Sequence, residues 1–304
     1  MPGPPSGIRT EGLTKTFGRT AALADLDLEV ARGEVFGYLG PNGAGKTTTI
    51  RILLDLLRPT AGRAEVLGFD TRRDVREVHR RVAYVAGDVQ LWPNLTGAET
   101  LHLLGRVHGS VDEAYRDELV GRFDLDGTRR IRQLSKGNRQ KVVLIAALMT
   151  RAEVLILDEP TAGLDPLMEQ VFRACVAEAR DRGQSVFLSS HLLSEVEAVC
   201  DRVGILRAGR LIDTGSLADL RHLAAVSVEA TFTGSPPDIT GVPGVHGVVV
   251  DGSRLRCQVR GPMEPLVDAL AGTGLTGLLS RESSLEDLFL ARYGDQASDA
   301  SSGS

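Results

Sequence analysis

At 304 residues, with 42% of them hydrophobic, the chain has room for one large domain and a smaller companion, each able to bury a core. A formal net charge of -5 and the absence of any block of Lys and Arg argue against a protein whose main surface serves the nucleic-acid backbone. No apolar run approaches the roughly 20 residues that cross a bilayer, so work at a membrane requires a span from another chain.

In chain order, the start MPGPPSG is rich in Pro and Gly and lacks the basic start and apolar core of a signal peptide; residues 1–7 are read as disordered. From Ile8 to about Leu220, short apolar strands alternate with amphipathic segments, which predicts an α/β fold around a mostly parallel sheet. KTFGRTAAL carries the aromatic Phe17, which a core position would also explain. VFGYL then reads as a strand and IRILLDLL as a helix, with GPNGAGKTTTI between them. Gly40 to Thr47 fits G-x-x-x-x-G-K-T. Gly40, Gly43 and Gly45, separated by Pro41, Asn42 and Ala44, let successive backbone N–H groups curl round phosphates. Lys46 places its ammonium on the terminal phosphates and Thr47 can ligate magnesium, while the helix that starts there, with Thr48 in its first turn, adds its positive end.

RVAYV is the next strand, followed by the loop AGDVQLWPNLT. From about 89 to 149 the strand signals vanish, and the spacing of Thr96 and Glu99 marks a capping box that opens a helical insertion. Within it, QLSKGNRQKVVLIAALM sets Ser135, Lys136, Gly137 and Asn138 at the start of an amphipathic helix. A hydroxyl, free amides and the helix dipole there form a second phosphate-facing surface, although an ordinary N-cap also suits Ser135. VLILDEP is an apolar strand ending in two carboxylates. Because the carboxyl ends of parallel strands line the ligand crevice, Asp158 is the candidate magnesium ligand and Glu159 the candidate that polarises a water for attack on a γ-phosphate. A plain turn before Pro160 is the alternative.

AGLDP offers Asp165-Pro166 as a helix start, and SVFLSSH ends a strand on His191, where a lone histidine is more often structural. After RAGRLIDTG the character changes: AVSVEATF and VVVDGSRLRCQV, the latter folded at Asp251-Gly252, read as strands, and PMEPLVDALAG and SSLEDLFLARY as helices. This predicts a small α+β domain over 221–294, before a polar tail at 295–304 with nothing to bury. Cys175, Cys200 and Cys257 lack metal-type spacing and suit the reduced thiols of a cytoplasm.

The ordered set GPNGAGKT, LSKGN, LILDEP, AGLDP and SSH, within a stretch from about Ile8 to Gly215, resembles the ATP-binding subunit of an ABC transporter. The resemblance implies a P-loop NTPase fold, a RecA-like core with an inserted helical subdomain, that binds ATP and Mg2+ and hydrolyses ATP. It implies catalytic roles for Lys46, Glu159 and His191, metal contacts from Thr47 and Asp158, and an adenine-stacking role for Phe17. LSKGN would be the family's signature motif, with Ser135 and Gly137, beside Asn138, reaching the γ-phosphate held by Lys46 of a second subunit. Two copies would then meet head to tail round two ATP molecules, with Asp165 in the loop that communicates across that dimer. The implied partner is a separate integral-membrane permease, with no nucleic acid expected and a cytoplasmic position on the inner face of the cell membrane. The ending SSLEDLFLARY resembles the C-terminal extension of daunorubicin-type bacterial exporters, which implies export of a drug-like or amphiphilic compound.

The chain departs from the family pattern at Gly87, where a glutamine usually follows the strand that here reads RVAYV; Asp88 and Gln90 are the candidates to replace it. Lys136 and Asn138 also stand where Gly and Gln are commoner. The missing side chain keeps a weakly hydrolysing ATP switch in view. A soluble ABC protein acting on DNA or the ribosome is a further alternative, which a long coiled coil or a second set of motifs would favour; this chain shows one motif set.

Overall fold

The computed structural model describes residues 6–109, 111–216, 226–259 and 261–282, and the chain divides into two units, Met1–Leu217 and Ala218–Ser304. In the first unit, β1 (Ser6–Phe17), β2 (Thr20–Ala31), β4 (Ala61–Val66) and β5 (Phe69–Asp70) form an antiparallel sheet in the order β2-β1-β4-β5. This sheet is absent from the sequence reading: in β1 the register shifts between Thr10 and Leu13 and again towards Thr16, which breaks the period-2 pattern, whereas β2 keeps that pattern from Leu26 to Val30 and was legible. The strand also begins earlier than the expected disordered start allows, because Ser6 and Gly7 belong to it and Ser6 Oγ donates to Ile8 O at 2.8 Å.

β3 (Val35–Leu39), β7 (Val154–Asp158) and β8 (Ser185–Ser190) are buried at every residue, as strands covered on both faces must be. With β6 (Val82–Val85), β9 (Arg202–Arg207) and β10 (Arg210–Ser216) they build a six-stranded sheet in the order β10-β9-β3-β8-β7-β6. All neighbours run parallel except β10, which closes one edge antiparallel to β9. Leu39 lies opposite Ser190, and Asp158 opposite Ser189. This register sets Gly40, Glu159 and His191, each one residue past its strand, along one sheet end. In the core, Phe36 and Phe187 stack with centroids 6.0 Å apart and Tyr38 tilts onto Phe187 at 5.1 Å. Burial raises the Tyr38 phenol pKa, so the hydroxyl stays protonated and bonds Thr49 Oγ1 at 3.1 Å, tying β3 to α1 (Lys46–Leu53).

Two further helices flank this sheet, α2 (Val75–Arg81) and α6 (Pro166–Asp181), and the short α7 (Leu193–Glu197) follows β8. The insertion is helical: α3 (Gly97–His108), α4 (Glu113–Arg122) and α5 (Lys136–Leu148). Both bonds of the expected capping box are made, Glu99 N to Thr96 Oγ1 at 3.2 Å and Thr96 N to Glu99 Oε2 at 2.7 Å. Arg122 on α4 grips Glu178 on α6 through two hydrogen bonds of 2.9 and 2.8 Å, joining the insertion to the sheet domain.

That pair carries a pH signature. The hydrogen bond from Arg122 holds Glu178 below its ordinary 4.5 despite partial burial. A carboxylate depressed in the folded state contributes stability that is complete above its unfolded value and is lost as pH falls through its folded value. In thermal melts between pH 3 and 7, the deficit of Glu178→Gln against wild type should therefore be constant above about pH 5.5 and shrink below about pH 4.5. Because Glu178 is partly exposed, the plateau should be no more than about 1 kcal/mol.

The second unit holds β11 (Val226–Phe232), β12 (Val245–Asp251), β13 (Arg254–Val259) and β14 (Leu275–Glu282) in an antiparallel sheet ordered β12-β13-β11-β14, with α8 (Glu264–Leu270). Val228, Ala230, Phe232, Leu255, Leu266 and Leu270 form its core. The expected turn at Asp251-Gly252 joins β12 to β13, while the expected helix SSLEDLFLARY lies outside the described residues.

Candidate functional site

The phosphate loop leaves β3 at Gly40 and enters α1 at Lys46. Gly45 has φ 115°, and a Cβ there would sit 2.6 Å from Ala22 O, so the loop can press against β2 only with glycine at this place. Pro41, Asn42 and Gly43 are exposed, whereas Gly40, Ala44, Gly45 and Lys46 are buried. No acidic residue stands in the first turn of α1, so its positive end is left for an anion. Lys46 is 5% exposed; its Nζ donates to Gly40 O at 2.6 Å and lies 3.4 Å from Glu159 Oε1.

Asp158, at the end of β7, is 2% exposed. Thr47 Oγ1 donates to its Oδ2 at 2.9 Å and Ser189 Oγ to its Oδ1 at 2.5 Å, so both carboxylate oxygens are held. A hydroxyl and a carboxylate side by side are hard oxygen donors of the kind magnesium takes. Among the described residues no group of three or more His, Cys, Asp and Glu forms a metal cage. The pair supplies two hard oxygen ligands, which suits an ion that keeps several of its waters. Burial, reinforced by the charge of Asp158, pushes the Tyr84 phenol up to about 12.

Glu159 has φ 50°, a left-handed conformation that a side-chain-bearing residue keeps only when its surroundings enforce it. Its N–H donates to Ser189 O at 3.1 Å, and its Oε2 meets His191 Nδ1 at 2.6 Å. The structure thus brings together Lys46, Thr47, Asp158, Glu159 and His191.

Ser135, Gly137 and Asn138 lie elsewhere: among the described residues no hydrogen bond or ion pair links them to the phosphate loop. Ser135 Oγ accepts from Asn138 N at 3.2 Å, so it does cap α5, and its own proton remains available to a ligand. Gly137 is closely packed, since a Cβ there would come within 2.4 Å of Gly163 O. Asp165 caps α6 by accepting from Met168 N at 3.0 Å, with Pro166 at the first helical position. Phe17 is exposed at the end of β1, with Lys15 Nζ 5.0 Å from its ring centroid.

Gly87 stands next to the carboxylate pair, because a Cβ built on it would lie 3.4 Å from Asp158 O and 3.7 Å from Asp158 Oδ2, in ordinary contact. Asp88 and Gln90 are both exposed, with Gln90 Nε2 3.4 Å from Asp88 Oδ2. Sequence reasoning missed three residues of this neighbourhood: Ser189, Gln140, whose Nε2 donates to Pro160 O at 2.7 Å, and Glu195, which accepts from Thr161 Oγ1. For Ser189 the signal was the SSH run, in which the serines carried no assignment; Gln140 and Glu195 lie outside it.

Between the sheet and the insertion lies an open groove of about 520 Å³ lined by Leu56, Trp92, Val107 and His108. Leu56, Trp92 and Val107 are exposed hydrophobics. Both ring nitrogens of His108 are buried without a hydrogen-bond partner, and burial lowers the imidazole's pKa.

Residues 23–162 match the family model described as ABC transporter. Over 95% of its length the chain is 38% identical to the daunorubicin resistance ATP-binding protein DrrA3 of Streptomyces coeruleorubidus, covering 96% of that protein. It is 37% identical to the bacitracin transport ATP-binding protein BcrA of Bacillus licheniformis over 68% of each chain. A solved structure described as the ATP-binding subunit of an ABC transporter superposes with a TM-score of 0.66 at 31% identity, over 71% of this chain and 92% of that one.

Proposed function

We propose, from the premise that this chain belongs to the ABC transporter family as an ATP-binding, ATP-hydrolysing subunit, a division of labour among its residues and a partner for each of its surfaces. One observation carries the reading: a single carboxylate, Glu159, reaches Lys46 through one oxygen and His191 through the other.

The loop amides and Lys46 receive the phosphates of ATP, and Lys46 neutralises charge that builds on the γ-phosphoryl oxygens during transfer. Thr47 and Asp158 would hold magnesium, which would supply positive charge to offset that of the phosphates. Glu159 accepts a proton from the attacking water, and His191, held on Glu159, orients that carboxylate and the γ-phosphate. Phe17, exposed at the hairpin tip, is the adenine platform. Since Ser135, Gly137 and Asn138 are not joined to the loop of their own chain, they act on ATP bound by a second copy set head to tail, and Gly163, two residues before Asp165, packs on Gly137.

The apolar groove suits a helical segment of an integral-membrane permease, with Trp92 as anchor and His108 awaiting a hydrogen-bond partner. No helix among the described residues is long and apolar enough to cross a membrane. The subunit then works at the cytoplasmic face through its permease, and the relatives named for drug and bacitracin transport favour export of an amphiphilic compound.

Hydrolysis by the purified chain should rise more than linearly with protein concentration and stop when EDTA removes magnesium. A strictly proportional rate overturns the dimer. Gly87 favours a second reading, a nucleotide switch: ATP binding without turnover at any concentration, restored by Gly87→Gln, would establish it.

A further inference from the structure

Glu159 holds a strained backbone, and besides the backbone bonds Glu159 N to Ser189 O and Ala162 N to Glu159 O, two side chains hold its turn in place. On one side Gln140, 2% exposed on α5, donates to Pro160 O at 2.7 Å. On the other, Glu195 on α7 accepts from Thr161 Oγ1 at 2.5 Å through Oε1 and from Ser190 Oγ through Oε2. Thr161 is 7% exposed and Ser190 fully buried. Thr161 lies two residues past Glu159, and Ser190 immediately precedes His191. Ser190 Oγ also accepts from Leu192 N at 2.9 Å, so its proton is committed to Glu195.

Resting on the reading of Glu159 as the base, we propose that Glu195 is a positioning residue for hydrolysis: its carboxylate clamps the two strand exits that carry Glu159 and His191, setting their 2.6 Å contact. Both oxygens of Glu195 are engaged by Thr161 and Ser190, so it acts on the base through those two residues. Its two acceptor oxygens tie the β7 and β8 exits together beyond Asp158 and Ser189, the last paired residues of that ladder, where the one backbone bond that continues is Glu159 N to Ser189 O. Strain at Glu159 persists only where the turn is over-determined, and this clamp is the link that ties the turn to the residue before His191. Without it, Gln140 still holds Pro160, so the turn shifts rather than unfolds. The phosphate loop is secured separately, through Gly45 against β2 and Lys46 on Gly40.

The test measures turnover, KM for ATP and nucleotide-binding stoichiometry of Glu195→Ala, Glu195→Gln and Glu159→Gln in the full chain, at a concentration where wild type hydrolyses. Displacement of a catalytic group by about 1 Å costs on the order of 10²-fold, so Glu195→Ala should lose about 10- to 100-fold in kcat per bound nucleotide, with KM within about twofold. Glu195→Gln should recover most of that loss, because its Oε1 can accept from Ser190 while its Nε2 donates to Thr161. Thr161→Val combined with Glu195→Ala should be little worse than Glu195→Ala alone, since both remove one link. An unchanged kcat in Glu195→Ala overturns the clamp, and so does a loss of nucleotide binding that accounts for the lost rate. If Glu159→Gln itself hydrolyses normally, the reading of Glu159 fails, and the positioning role fails with it by a distinguishable result.

Discussion

Glu159→Gln should reduce steady-state ATP hydrolysis by about 10²- to 10⁴-fold, the contribution of a positioned general base, while leaving ATP binding near wild type. The substitution is nearly isosteric, so the strained turn keeps its N–H bond to Ser189 O and the amide can still pair with His191 Nδ1. What disappears is the proton acceptor, together with the negative charge 3.4 Å from Lys46 Nζ. Losing that charge relieves its repulsion of the incoming phosphates, so affinity for ATP should hold or tighten while turnover falls. Equilibrium binding of a fluorescent ATP analogue beside a phosphate-release assay separates the two effects. A mutant that binds and hydrolyses at wild-type rates would remove Glu159 from the chemistry.

Gly137→Ala should cut turnover sharply although it lies outside the phosphate loop. The added carbon would meet Gly163 O at 2.4 Å, and Gly163 lies in a turn whose backbone is tied by Leu164 N to Thr161 O at 2.9 Å. Neither side can yield as a flexible side chain would, so α5 and the AGLDP loop must part by about 1 Å, enough to cost on the order of 10²-fold in rate. Overpacking of this kind also costs roughly 1–3 kcal/mol of stability. Nucleotide binding by the single chain should survive, because the phosphate loop is packed independently. Turnover, melting temperature and ATP binding measured together decide it: wild-type turnover would mean that the signature loop tolerates displacement and does not act on phosphate. Gly87→Ala is the contrasting case, since its Cβ would find only ordinary contacts at 3.4 Å and beyond.

Residues whose work depends on consecutive backbone groups were legible in the sequence. Gly40 to Thr47 announces a phosphate loop because successive amides, a left-handed Gly45 and a helix start occupy adjacent positions. The Thr96–Glu99 box, the Asp165 cap and the strands VFGYL, VLIL and SVFLSS are local in the same sense, governed by sterics and hydrogen bonds a few residues apart. Even so, β1 was hidden, because its bulges erase the alternation by which a strand is recognised, while β2 showed that alternation in DLDLEV and went unread.

Strand order and register alone put Asp158 opposite Ser189 and drew Lys46, Glu159 and His191 into one site. The sequence has Gly137 and Gly163 26 positions apart, Gln140 and Pro160 20 apart, and Thr161 and Glu195 34 apart. Nothing in the local pattern of any of these residues specifies its partner, since propensity and periodicity describe neighbours along the chain. Local chemistry determined that this protein holds phosphate and which family it resembles; only the tertiary structure decided what holds the base, why a glycine must sit at 137, and that Gly87 borders the carboxylate beside Thr47. The reason is physical: a hydrogen bond between distant segments exists only once the parallel sheet has set their strand ends side by side.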